Sequence, residues 1–239
     1  MVLEGNFLKL EENLTDSIDY TKMLFSDLGR LLILIILDII PIVNFIVAGY
    51  AANVIKQSKD SKELPPLTNY VDLWIQGLKI VVAAVIIMII PIILIGPSIV
   101  LFVIAAWIDV SFLPTVGGFL AIVMLLIGLL LAFFLSIILG MAIVNMVKHG
   151  SFGKAFAFGE ILNIIGKIGW GSYIVWLIVI FIISVIISAI GGIPLIGWLL
   201  SLILGPLFAV FVARSASLTY MEGTTTPEPA AASPTTEEQ

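Results

Sequence analysis

Cysteine is absent, histidine occurs once, and only 11% of the 239 residues are charged. The first absence excludes disulfides and thiolate chemistry, and gives no hint of redox compartment. With His149 alone, neither a histidine metal site nor a nucleophile–histidine–acid constellation has much to draw on. The shortage of charge excludes a water-soluble surface. Soluble domains carry about 25% charged and about 45–50% apolar residues. Here 61% are hydrophobic and the mean hydropathy is +1.22. Lipid must therefore cover much of the molecule. A formal net charge of -5 argues against nucleic acid, or an anionic lipid surface, as the main partner.

Basic residues are also missing from long stretches. None of the eleven Lys and Arg lies in residues 80–147 or 168–213. Basic side chains collect on the cytoplasmic side of a membrane. The loops at 51–79 and 148–167 are thus expected inside, with the turns near 109–118 and 191–194 outside. Four spans follow. The first is residues 80–108, about 43 Å as a helix against a hydrocarbon core of about 30 Å. Pro91 and Gly96-Pro97 predict a kink or break in it. The others are residues 118–147, 169–190 and 195–213, with Gly205-Pro206 interrupting the last.

Residues 28–56 pose a harder problem. Asp38, Pro41 and Asn44 interrupt an oily run. Aspartate at mid-membrane costs about 2.5–3.5 kcal/mol, while each Leu, Ile, Phe or Val returns about 0.3–0.6. Fourteen such residues between Leu31 and Val47 outweigh it. A single crossing would put Lys9, Lys22 and Arg30 outside. A re-entrant hairpin broken at Asp38–Pro41 would keep both ends inside, with Asp38 accepting hydrogen bonds from the exposed N–H groups of the second arm. Both forms stand on sequence alone.

Residues 1–27 read as an amphipathic helix. Leu10, Leu14, Ile18, Thr21 and Phe25 form its apolar stripe. Such a helix lies in the membrane interface, docks a partner, or packs on its own bundle. No basic-then-apolar signal peptide is expected there. Asn13-Leu-Thr15 is a glycosylation sequon, relevant only outside the cell. Residues 151–168 read as a second amphipathic helix on the inner face, with Phe152, Phe156, Ile161, Ile164, Ile165 and Ile168 alternating with Lys154, Glu160, Asn163 and Lys167. It is either a lipid or partner surface or a plain link between spans. Residues 222–239 contain no basic residue and too little apolar surface to fold, so they read as a disordered acidic tail.

Candidate site residues are few. No phosphate-binding glycine loop, strand pattern or pair of intramembrane carboxylates appears. The intramembrane polar positions are Asp38, Asn44, Asn53, Asn145 and Asp109. A charge in that setting is a functional hypothesis by default. Against it stand plainer roles: an anchor beside a turn for Asp38, an interfacial position for Asp109, interhelical hydrogen bonding for Asn44 and Asn145. His149, followed by glycine, suits a helix C-cap. Ile40-Pro-Ile-Val-Asn-Phe-Ile-Val47 also resembles Ile193-Pro-Leu-Ile-Gly-Trp-Leu-Leu200. A short match in so Ile- and Leu-rich a chain does not by itself establish a repeat, although paired broken helices occur in transporters.

Several pieces in order resemble a family catalogued as domain of unknown function 4013. They are Gly49-Tyr50-Ala-Ala-Asn-Val-Ile-Lys56, Glu63-Leu-Pro65, Gly77-Leu-Lys79, the Phe-rich helix running to Gly169-Trp170, and residues 214–220. The likeness covers about residues 16–222; Pro66 and the acidic tail look peculiar to this chain. It implies a small, archaeal, multi-pass membrane protein and carries over no activity, cofactor or site.

The expectation is therefore an all-α integral membrane protein. It has four full transmembrane helices plus a proline-broken first segment, a re-entrant hairpin or a fifth span, with interfacial amphipathic helices. Residues 1–27 form the N-terminal helix, 28–221 the membrane domain and 222–239 the tail. The expected role is a non-enzymatic scaffold, accessory subunit or lipid-organising component of the cell (plasma) membrane, C-terminus in the cytoplasm. Its partners would be lipids, another membrane protein or a second copy, with no nucleic acid and no cofactor. The alternative is a small transporter or channel using Asp38 and the broken helices.

Overall fold

A backbone amide in hydrocarbon finds no water, so long apolar runs satisfy themselves as helices. The computed structural model describes residues 2–108 and 116–224, and among these there is helix and no strand. In chain order come α1 (Val2–Ser26), α2 (Leu28–Ile39), α3 (Phe45–Lys56), α4 (Tyr70–Ile108), α5 (Val116–His149), a short 3-10 helix (Phe152–Phe156), α6 (Phe158–Ile168), α7 (Trp170–Gly191) and α8 (Gly197–Thr224). Parts of α4, α5, α7 and α8 are long and apolar enough to cross a membrane. Asp109, where an outer turn is expected, lies with residues 110–115 and those beyond 224 outside the described residues.

The prolines do not break the long helices. α4 runs through Pro91 and Pro97, and α8 through Pro206 to Thr224 rather than ending at 213. Each proline removes one N–H, and membrane helices absorb that loss by local adjustment. Residues 151–168 are not one helix either. They divide at Ala157 into the 3-10 turn and α6, which buries Ile161, Ile164 and Ile165.

Residues 28–56 form a hairpin. At 12 residues each, α2 and α3 are about 18 Å long, too short to cross. Their far ends return to one place. Arg30, early in α2, donates to the Pro65 carbonyl beyond α3 at 3.1 Å, and Tyr20 pairs with Gln57 just after α3. At the tip, the turn satisfies its own amides: Asn44 N donates to Ile40 O at 3.0 Å and Ile46 N to Val43 O at 2.9 Å. Trp74 of α4 donates to Ile42 O at 2.9 Å. The second arm therefore needs no help from Asp38, and the expected hydrogen bonds to that carboxylate are not formed.

Against α3 lies α4, in backbone contact. A Cβ on Gly49 would overlap the Leu73 carbonyl, and one on Gly77 the Phe45 carbonyl. Only glycine at both positions lets the two helices approach this closely.

The apolar stripe of α1 is not the face it buries most deeply, although Leu10 packs against the core. Ile18 and Phe25 of the apolar stripe are exposed, while Asn13, Ser17, Tyr20 and Leu24 are buried. That face packs on α8, whose stretch from Arg214 to Tyr220 is rich in small polar residues, and hydrogen bonds to it take Asn13 inside beside Tyr20 and Leu24. Its neighbours α1, α2, α3, α5, α6 and α7 surround α8, which buries every residue from Ala213 to Tyr220.

Candidate functional site

The run Arg214-Ser-Ala-Ser-Leu-Thr-Tyr220 places small polar side chains on every side of α8. Small residues admit close neighbours, and polar ones bond across the gap. Asn13 Nδ2 donates to Ser215 O and Thr219 Oγ1, both at 3.1 Å. Ser215 Oγ donates to Asn13 Oδ1 at 2.6 Å and accepts from Trp176 Nε1 at 2.8 Å, bringing in α7. Ser217 Oγ donates to Ile55 O of α3 at 2.9 Å. With its side chain consumed in the core, Asn13 is no glycosylation acceptor in this fold.

At the centre sits Arg214, 1% exposed. Its Nε and Nη2 grip Asp16 at 2.6 and 3.3 Å, while Nη1 and Nη2 donate to the carbonyls of Ser58 and Lys59 at 3.0 and 2.6 Å. The guanidinium also lies 4.8 Å from the centroid of Tyr20. A planar fork with five donors suits such a junction, and an ammonium does not. One residue thus ties α1 and the α3–α4 link to α8. Burial first, and then the nearby Tyr50 hydroxyl, push Tyr20 well above the ordinary phenol range, so it stays a neutral donor. Lys148 Nζ donates to Gln57 O at 3.2 Å. Both lysine-bearing loops therefore meet at one end of the bundle.

Asn145 is part of the same knot. Fully buried, it accepts from Tyr220 Oη at 2.6 Å and donates to Lys154 O at 3.0 Å, joining α5 to α8 and the 3-10 turn. Beside it, His149 Nδ1 meets Asn145 O at 2.9 Å. Gly150 (φ +62) then closes α5, with Ser151 N donating to Met146 O. Lys154 Nζ reaches Glu160 Oε2 at 2.6 Å. That hydrogen bond, with the charges of Lys154 and His149, holds the Glu160 carboxyl below its ordinary range. A depressed carboxyl adds stability that is present above its unfolded pKa and lost as pH falls through the lower folded value. Acidification below about 4.5, its ordinary value, is expected to loosen the start of α6. The effect is small, because the pair is about a third exposed. Glu160→Gln should flatten this acid limb in melting curves taken across pH; an unchanged limb refutes the assignment.

Asp38 stands apart from the knot. It is partly buried beside α8, and a Cβ on Gly205 would come within 2.7 Å of its Oδ2. Gly205 precedes Pro206, so the carboxylate faces the helix where one backbone N–H is missing. Asn44 precedes α3 without capping it, and its Oδ1 is buried and unpartnered. Asn53 lines a small cavity with Asn69, Asp72 and Gln76. Asp38 and Asn145, singled out together by sequence, are therefore in different places. Among the described residues, no three His, Asp or Glu side chains converge as a metal site would require.

The two Ile-Pro stretches share a backbone. Ile42 and Leu195 take left-handed φ values of 72 and 71°. Asn44 N donates to Ile40 O at 3.0 Å, and Gly197 N to Ile193 O at 2.8 Å. Left-handed φ strains a non-glycine residue, most of all a β-branched one. The likeness is thus one of turn conformation as well as letters, reversing α2 into α3 and α7 into α8.

Residues 32–196 match a family described as "Protein of unknown function (DUF4013)". No curated protein and no solved structure matches the chain. The matched stretch holds α3 and most of α2, with Gly49, Gly77 and Asn145, while Asp16 and Arg214 lie beyond it.

Proposed function

The chain belongs to the DUF4013 family of unknown function, and from that premise we propose a non-enzymatic membrane component: a scaffold, accessory subunit or lipid-organising protein. The observation that carries this reading is where polar and apolar groups go. Most of the buried polar side chains at the basic end, Arg214, Asn13, Ser215 and Asn145 among them, are spent on one another or on backbone carbonyls. Large apolar side chains stand exposed along the spans, among them Ile89 and Ile93 on α4, Leu126 and Phe133 on α5, and Phe181 and Val185 on α7. Such surfaces suit lipid tails or another membrane helix. The basic end faces the cytoplasm in this reading, in the cell membrane of an archaeon as the family likeness implies.

The rival reading is a small transporter or channel, favoured by Asp38 against the Gly205-Pro206 segment. Purified protein in liposomes, tested for proton, sodium and potassium flux, separates the two. Leak equal to protein-free vesicles is expected for both wild type and Asp38→Asn. Protein-dependent flux abolished by Asp38→Asn would establish the rival. In intact cells, an impermeant thiol reagent should fail to label a cysteine placed at position 59; labelling reverses the orientation.

A further inference from the structure

Where α3 ends, a cavity of about 340 Å³ opens between α3, α4 and the end of α5. It is far larger than the ~10–15 Å³ that one water requires. Lys56 and Lys79 line it from α3 and α4, close enough to repel one another. Lys56 Nζ donates to Gln76 Oε1 at 2.6 Å, which leaves two of its three N–H donors free. Neither lysine has an ion-pair partner among the described residues. Asp72, one turn before Gln76, also lines the cavity, where a carboxylate accepts from hydroxyl groups. The remaining wall is apolar, with Met146 and Phe152.

Two cations, a hydroxyl acceptor and a greasy wall, at the basic end of spanning helices, match one chemistry. We propose that this cavity holds the phosphodiester headgroup of an anionic lipid bearing free hydroxyls, with the first methylenes of its chains on Met146 and Phe152. The net charge of -5 does not oppose this, because screening limits distant charges to about 10 Å at ordinary salt. A second cavity, between α1, α6, α7 and α8, is lined by both Lys9 and Glu222 and offers an anion no net charge. This deepens the lipid-organising reading, yet it stands or falls separately from the flux result.

Native mass spectrometry of the detergent-purified full chain, titrated with phosphatidylglycerol or phosphatidylcholine, tests it. Phosphatidylglycerol is expected to bind more tightly at one site. Lys56→Gln and Lys79→Gln should each weaken it about fivefold, the worth of one basic residue near a lipid surface. Lys56→Arg should retain binding, and Lys167→Gln on the exposed face of α6 should leave it unchanged. Wild-type melting temperature checks that each variant is folded. Equal binding of the two lipids, undiminished binding by both single variants, equal weakening by Lys167→Gln, or full displacement by inorganic phosphate would each overturn the proposal.

Discussion

Gly77→Ala is expected to separate α3 from α4 and to lower the melting temperature in mild detergent by about 6–12 °C. The added methyl would overlap the Phe45 carbonyl, a backbone atom that cannot rotate aside. Overpacking costs about 1–3 kcal/mol where side chains give way. Here the helices themselves must move, so the upper end, about 3 kcal/mol, applies; for a chain of this size each kcal/mol is worth about 2–4 °C. Gly49→Ala should behave alike, since its Cβ would overlap the Leu73 carbonyl. Gly166→Ala supplies the contrast. Nothing lies within 4 Å of a Cβ there, and alanine is favoured over glycine in a helix by up to about 1 kcal/mol. Its melting point should hold or rise. A Gly77→Ala protein that melts within about 2 °C of wild type would mean the close α3–α4 crossing is not present.

The second large effect is expected at Asp16. Removing one partner of a buried ion pair costs about 3–5 kcal/mol, because the other charge is left uncompensated. Arg214 has a side-chain exposure of 2%, whereas Asp16 stands at 39%. Asp16→Ala therefore strands the arginine, at a cost of about 3 kcal/mol, the low end because water reaches the vacated side. Arg214→Met strands an aspartate that water can already reach, and should cost less through the charge while freeing the Ser58 and Lys59 carbonyls. The double variant Asp16→Ala, Arg214→Met should be more stable than the sum of its parts, since replacing both charges with neutral groups removes the desolvation penalty. Asp19→Ala is the control. Its pair with Lys22 is 64% exposed on both sides, and such pairs are worth about 0–1 kcal/mol. Additive single effects in the Asp16–Arg214 cycle, or equal losses from Asp16→Ala and Asp19→Ala, would remove the pair from its central place.

Prolines and α1 show where reading a sequence in lipid goes astray. Pro91 and Pro97 predict a kink or break and Pro206 an interruption, yet α4 and α8 continue through them without a break. Pro41 does end a helix, but with Ile42 in a left-handed conformation and a closing bond at Ile40 O. Nothing local distinguishes the two cases. On α1, the apolar stripe was legible and the buried face was not, because Asn13 is carried inside by partners some 200 residues away, and Ser17, bonded to the Asn13 carbonyl, goes in with it. The same distance hid Arg214. Its run of small polar neighbours after an apolar helix was the available signal, and it marks only that something must pack closely there.

Composition and charge spacing alone determined that this is an all-helical chain with four spanning-length helices, since a bilayer accepts few other solutions and basic residues mark the ends. They also marked Asp38 to Pro41 as an irregular point in the first apolar segment, while leaving a single crossing and a hairpin both open. Tertiary structure alone decided that this segment folds back, that Gly49 and Gly77 meet, and that the Lys56–Lys79 cavity exists. Those features depend on which helix lies against which, and hydrophobic pattern is nearly silent about neighbours when every outer face is greasy and lipid competes equally for each contact.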